Sequence, residues 1–137
     1  VRHLSVRPGA TFFVPGTPGA DIHASVAPRT GEPVVEKNFP NAFRATDLES
    51  RLRAAGADQL VIAGAMSHMC IDATARAAFD HGVKCTVAED ACATRALEFG
   101  GRTLPARDVH AAFMAALAVP YAKIAGADAC VAALGGA

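Results

Sequence analysis

A cysteine between a strand and a helix is the residue of this sequence best suited to chemistry. The apolar run at residues 60–63 ends at Gly64 and predicts a buried strand, and the apolar spacing after Cys70 predicts a helix to about His81. The thiol then lies where backbone N–H groups lack partners and the helix dipole is positive. Both features favour the thiolate, the nucleophilic form. An inert buried cysteine is the alternative reading.

Two further side chains are candidates to act with this thiol. Lys37 ends a short predicted strand, where a lysine is either a solvated surface charge or a cation that stabilises the thiolate and moves a proton. His68 could serve as a base for Cys70. Because residues two apart in a tight turn rarely face each other, a pocket-lining role for His68 is favoured.

Strands and helices alternate along the chain and would position these residues. Strands are predicted over residues 1–6, 33–37, 60–64, 83–89 and 121–124, and helices over 45–55, 70–81, 107–119 and 127–134. This alternation predicts βαβ units and a mostly parallel sheet. Ligands bind at the carboxyl ends of parallel strands, so Lys37, the turn at residues 64–70 and residues 90–94 are expected to share one edge.

Composition limits the classes of function. The 137 residues are 52% hydrophobic and 19% charged, with a formal net charge of zero, which fits one globular domain and indicates neither a nucleic-acid nor a membrane partner. No apolar run approaches the ~20 residues of a membrane span. The four cysteines lack CxxC or metal-knuckle spacing, so they are interpreted as thiols of a reducing compartment, most simply the cytoplasm.

Several segments, in order, resemble the isochorismatase-like cysteine hydrolases. They are residues 37–43, 46–52, 61–70, 74–78 with Gly82, and 89–94. The resemblance runs from about His3 to about Ala122. It implies a three-layer αβα, Rossmann-like fold with a central, mostly parallel sheet, formed as a single domain by residues 1–137. It also implies that the protein cleaves the C–N bond of a small amide or ureido compound through a thioester acyl-enzyme.

The resemblance assigns roles to particular residues. Cys70 would be the nucleophile and Lys37 its cationic partner. The backbone N–H groups of Met66 and Cys70 would form the oxyanion hole. A non-proline cis peptide bond is expected at Ala65–Met66.

Aromatic residues near these positions predict an apolar pocket. Phe39 follows Lys37, and Phe12 lies in a proline-rich loop, so both are candidates to surround a small acyl group. His68 or Arg7 would supply a polar contact to the substrate. Ordinary core packing is the alternative for the phenylalanines.

The sequence also departs from the family pattern. The family's catalytic aspartate ends a first strand that has no counterpart here, so we expect that the chain lacks the first strand and helix, with a pseudo-enzyme fragment as the alternative. His3 and His23 are too few for the metal site of nicotinamidases, so no metal or other cofactor is expected.

Two alternatives to amide hydrolysis stay open. One is an enol-ether hydrolase of the isochorismate type, although such enzymes need not keep the cysteine. The other is a catalytically silent member that binds a metabolite. The helix at residues 107–119 and the loop at 12–15 are apolar for solvent-facing segments, which predicts a homo-dimer or homo-tetramer.

Overall fold

Parallel strands form the centre of the fold in the computed structural model, which describes residues 1–135. A three-stranded sheet has the order β3-β4-β7, and β1 and β2 form a second parallel pair, while β5 and β6 form an antiparallel hairpin. The strands are β1 (Arg2–His3), β2 (Glu36–Lys37), β3 (Gln59–Ala65), β4 (Lys84–Ala93), β5 (Leu97–Phe99), β6 (Arg102–Leu104) and β7 (Lys123–Ala125). The predicted α/β class with a parallel central sheet is confirmed.

Helices cover both faces of the three-stranded sheet. They are α1 (Leu48–Ala54), α2 (Asp72–Asp80), α3 (Ala106–Leu117) and α4 (Ala127–Gly135). Side chains of a strand alternate between faces. Cys85 and Val87 of β4 therefore point to the core with α2 and α3, whereas Thr86 borders a cavity shared with α4. Within residues 1–135, no helix is both long enough and apolar enough to cross a membrane.

The core lies between β4 and the pair α2 and α3. Ala75 and Ala78 of α2 are fully buried, and their small side chains allow the helix to approach Val87 closely. Leu117 of α3 is also fully buried, and Met114 nearly so. The interpretation of this helix as an apolar solvent-facing segment was therefore wrong in part, because its apolar stripe forms core.

Two features of the sheet differ from the sequence-based expectation. β3 was predicted to be buried, but it is an edge strand among the described residues, and Val61 is 43% exposed. The hairpin of β5 and β6 was not predicted. Its turn contains Gly100 and Gly101, both with positive φ, and a Gly-Gly pair between short extended runs was the signal that could have revealed it.

Candidate active site

The connection from β3 to α2 presents Cys70. Gly64 has a φ of +126°, a conformation that other residues rarely adopt, and the cis peptide bond Ala65–Met66 follows it as predicted. Residues Ser67–Ile71 then form one π-helical turn that continues into α2. The N–H groups of Met69 and Ile71 donate to the Met66 carbonyl at 3.0 and 3.3 Å. Helical structure thus begins before Cys70, which is half-buried.

Lys37 is a buried cation in contact with this thiol. Its side chain is on β2, the residue is only 5% exposed, and Nζ lies 3.1 Å from Cys70 Sγ. Nζ also donates to the carbonyls of Phe39 and Pro40, at 2.9 and 3.2 Å, and lies 3.0 Å from His3 Nδ1. Burying an unpaired ammonium costs several kcal/mol. The surrounding acceptors offset that cost, and the surface-charge reading of Lys37 is excluded.

The loop after Lys37 is fastened to the helix that follows Cys70. Thr74 of α2 accepts a hydrogen bond from the Ala42 N–H at 3.1 Å, and its hydroxyl lies 3.4 Å from the Pro40 carbonyl. That carbonyl is one of the acceptors for Lys37. The helix that carries the thiol therefore also holds the loop that binds the amine.

His68 lies at the same edge of the sheet but turns toward β4. Its Nδ1 atom is hydrogen-bonded to the Thr94 hydroxyl, and its ring meets the edge of Phe113 at 6.1 Å between centroids. Burial and then the Arg95 charge lower the pKa of His68. The expected convergence of Lys37, the Cys70 turn and residues 90–94 is present. A substrate contact by His68 stays a prediction.

Two polar residues of this edge make contacts that were not predicted from the sequence. Ser67 is fully buried, with its hydroxyl 2.8 Å from Nδ1 of His110 on α3. Asp90 accepts a hydrogen bond from the Ala127 N–H at 2.7 Å and so caps the start of α4. Asp90 was visible within the 89–94 motif, whereas no local pattern connects Ser67 with His110.

The residues predicted to line the pocket differ in their exposure and contacts. Phe39 is half-buried, and the Arg44 guanidinium lies 3.9 Å from its ring centroid. Phe12 is 52% exposed and packs edge-on against Phe13, whose ring lies 5.5 Å from His3. Arg7 is exposed. Binding of substrate by Phe39, Phe12 or Arg7 stays a prediction.

A substitution of Phe39 tests the predicted apolar wall. We expect Phe39→Ala to raise KM by an amount worth roughly 1–3 kcal/mol, the scale of lost apolar pocket contacts. The rate at which iodoacetamide alkylates Cys70 should stay nearly unchanged, since the Phe39 carbonyl that binds Lys37 belongs to the backbone. Steady-state kinetics and thermal melts are the measurements. An unchanged KM with lowered thermal stability would place Phe39 in the core instead.

Neither metal-binding side chains nor the large cavity points to a different site in the described residues. No group of three potential metal-binding side chains converges within residues 1–135, and the expectation of a metal-free protein stays a prediction. One cavity of about 320 Å³ is lined by residues that include Lys84 and Lys123, at the amino ends of β4 and β7. The chemistry-bearing residues are at the opposite, carboxyl ends of the strands.

The fold and the site together define a class of protein: a parallel α/β domain with a thiol and a buried amine in contact at the carboxyl edge of its strands. A sequence profile of the isochorismatase domain matches residues 1–129. The chain therefore belongs to the isochorismatase family of hydrolases.

Individual relatives agree with this assignment. The chain is 49% identical over 124 residues to the uncharacterized isochorismatase family protein YddQ of Bacillus subtilis, covering 90% of this chain and 69% of that protein. It is 39% identical to maleamate amidohydrolase of Pseudomonas putida over 83 residues, which is 61% of this chain and 39% of the enzyme.

A solved structure is similar over almost the whole chain. The crystal structure of a putative isochorismatase hydrolase from Oleispira antarctica superposes with a TM-score of 0.91 at 56% sequence identity. The match covers 96% of this chain and 69% of that one. The chain thus spans only part of the length of these relatives.

Proposed function

We propose that this hydrolase cleaves the C–N bond of a small amide or ureido compound, with Cys70 as nucleophile and Lys37 as its cationic partner. The observation that carries the proposal is the 3.1 Å contact between Lys37 Nζ and Cys70 Sγ, made by a lysine that is almost completely buried. A cation so close to a thiol favours the thiolate. A relative that is an amidohydrolase, that of maleamate, supports the choice of substrate class.

The proposed reaction proceeds in two steps. The Cys70 thiolate attacks the carbonyl carbon, and the backbone N–H groups of Met66 and Cys70 hold the oxyanion. Collapse of the tetrahedral intermediate breaks the C–N bond, and a Lys37 N–H donates a proton to the departing nitrogen. Water then attacks the thioester and gives a proton to the neutral Lys37 amine, and cleavage of the C–S bond yields the acid and restores the thiolate and the ammonium. Within residues 1–135, the hydrogen-bond acceptors around Lys37 are the carbonyls of Phe39 and Pro40, His3 Nδ1 and Cys70 Sγ, and no carboxylate is among them.

A substrate panel tests the reaction class. The full-length protein is incubated with small amides and ureido compounds, including maleamate and nicotinamide, and ammonia release is measured. Mass spectrometry after rapid acid quench should show an acyl adduct on the peptide that contains Cys70. Isochorismate cleavage without ammonia release would favour the enol-ether alternative. Binding of panel compounds without turnover would favour a silent member.

Selective alkylation tests the state of the thiol without any substrate. Burial raises the pKa of the Cys85 thiol to about 11, and burial, with a smaller contribution from Asp90, also raises the pKa of Cys92. Both therefore stay protonated near neutral pH, and Cys130 is only 5% exposed. We expect iodoacetamide at pH 7.5 to label Cys70 first, as followed by peptide mass spectrometry. Equal labelling of all four cysteines would contradict an activated thiol.

Assembly and location complete the proposal. Phe12, Phe99 and Val119 are exposed apolar side chains, at 52%, 81% and 77%, and exposed apolar surface is typical of interfaces. We therefore retain the homo-dimer or homo-tetramer, now argued from these residues rather than from the buried stripe of α3. Four free cysteines favour a reducing compartment, and the cytoplasm is the proposed location.

A further inference from the structure

We propose that His3 is a positioning residue, which holds the Lys37 ammonium beside Cys70 through its Nδ1 atom. This inference rests on the proposed function of Lys37 and Cys70. None of the sequence patterns or motifs above assigns a catalytic task to His3.

Strand register brings the two side chains together. In the parallel pair of β1 and β2, Arg2 lies opposite Glu36 and His3 opposite Lys37. Successive side chains of a strand point to opposite faces, so the two pairs lie on different sides of the ladder. Arg2 and Glu36 form a salt bridge on one side. His3 and Lys37 meet on the other side, where Nδ1 and Nζ are 3.0 Å apart.

His3 Nδ1 is one of four acceptor atoms that surround the ammonium of Lys37. An ammonium has three N–H donors and no acceptor. Four acceptor atoms lie within reach, and the most distant, the Pro40 carbonyl at 3.2 Å, also has the Thr74 hydroxyl nearby. The three closer acceptors are the Phe39 carbonyl, His3 Nδ1 and Cys70 Sγ. His3 Nδ1, at 3.0 Å, is thus among the shortest contacts of Nζ, and besides Cys70 Sγ it is the one acceptor of the four that a side chain supplies.

This contact requires a neutral imidazole whose proton is on Nε2. Among the described residues, Lys37 of β2 contacts the imidazole at Nδ1, and the Phe13 ring of the long loop lies 5.5 Å from it between centroids. Burial, and then the charge of Lys37, lower the pKa of His3 from its usual 6.5. Nδ1 therefore stays free to accept at neutral pH. In acid, a protonated His3 would lose that lone pair and repel the ammonium, so Lys37 would be released from Cys70.

Three variants of the full-length protein separate this role from a packing role. His3→Ala removes the acceptor, and we expect kcat/KM to fall about tenfold or more, the scale of a hydrogen bond to a charged group. The pH profile of Cys70 alkylation by iodoacetamide should shift to higher pH. His3→Asn places an amide oxygen at the position of Nδ1 and cannot titrate. It should restore kcat/KM to within about threefold of the wild type at pH 7.5. His23→Asn, in an exposed part of the loop, is the matched control and should match the wild type.

The pH dependence gives the second readout. Wild-type kcat/KM should fall in acid as His3 gains a proton, below its ordinary value of 6.5 because its pKa is lowered. The acid limb of His3→Asn should lie at lower pH than that of the wild type. If the alkylation and kcat/KM profiles of His3→Ala both coincide with those of the wild type, the positioning role is wrong. If the wild type hydrolyses none of the amides, the proposed function fails, while the alkylation profiles still decide the role of His3.

Discussion

Cys70→Ala is expected to abolish amide hydrolysis while the protein stays folded. Removing the nucleophile eliminates the acyl-enzyme route, and loss of such a residue costs at least about 1,000-fold in kcat in comparable hydrolases. The side chain is half-buried and its replacement deletes only one sulfur atom, so the thermal melt should change little. Ammonia release and circular dichroism are the measurements.

A matched control exists for this substitution. Cys130→Ala removes a buried sulfur from α4, on the opposite face of the sheet from α2, and should keep wild-type turnover. Turnover by Cys70→Ala within about tenfold of the wild type would remove the nucleophile from the mechanism. In that case enol-ether hydrolysis, which needs no thiol, would become the better-supported function of this protein.

Lys37→Met should lower kcat/KM by about 100-fold or more, because a positioned acid or base contributes 100- to 10,000-fold. Methionine keeps an unbranched apolar stem but removes the charge beside the thiol. We therefore also expect the alkylation profile of Cys70 to move to higher pH. The carbonyls of Phe39 and Pro40 lose a buried donor, at a cost of about 1–3 kcal/mol each where water does not replace it. A lower thermal midpoint should accompany the loss of activity.

Two further variants define what the lysine contributes. Lys37→Arg keeps the charge but replaces the compact ammonium by a larger, planar guanidinium, so only partial activity is expected. Lys84→Met removes an exposed lysine from the amino end of β4 and should be neutral. If Lys37→Met kept the wild-type pH–rate and alkylation profiles, the buried ammonium would be a structural group only.

The order of strands and helices and the edge that carries the site could be predicted from the sequence. The apolar spacing predicted β3, β4, α2 and α3. The parallel topology predicted that Lys37 and the turn with Cys70 lie at the same edge of the sheet. The partnership of His3 with Lys37 could not be predicted. It depends on the register of two strands of two residues each, separated by more than thirty residues of loop. The contact of Ser67 with His110 similarly joins distant elements through tertiary packing alone.

The boundaries of the elements and the exposure of their side chains were harder to predict than the order of the elements. The apolar run of β3 indicates a strand but does not say how many neighbours the strand has, and Val61 is half-exposed at an edge. Phe39 follows Lys37 in sequence, yet its ring lies under the Arg44 guanidinium, a cation–π contact that no short-range pattern encodes.

The hydrogen bonds of Thr74 bear on which parts of this site can vary in sequence. The π-helical turn that contains Cys70 continues into α2, and Thr74 of α2 is hydrogen-bonded to the loop that follows Lys37, so one continuous helical segment positions both the sulfur and the amine. The long segment between β1 and β2 is largely exposed, and its Phe13 ring faces His3. We therefore expect substitutions at the exposed residues of this segment to affect the choice of compound more than the distance between the sulfur and the nitrogen.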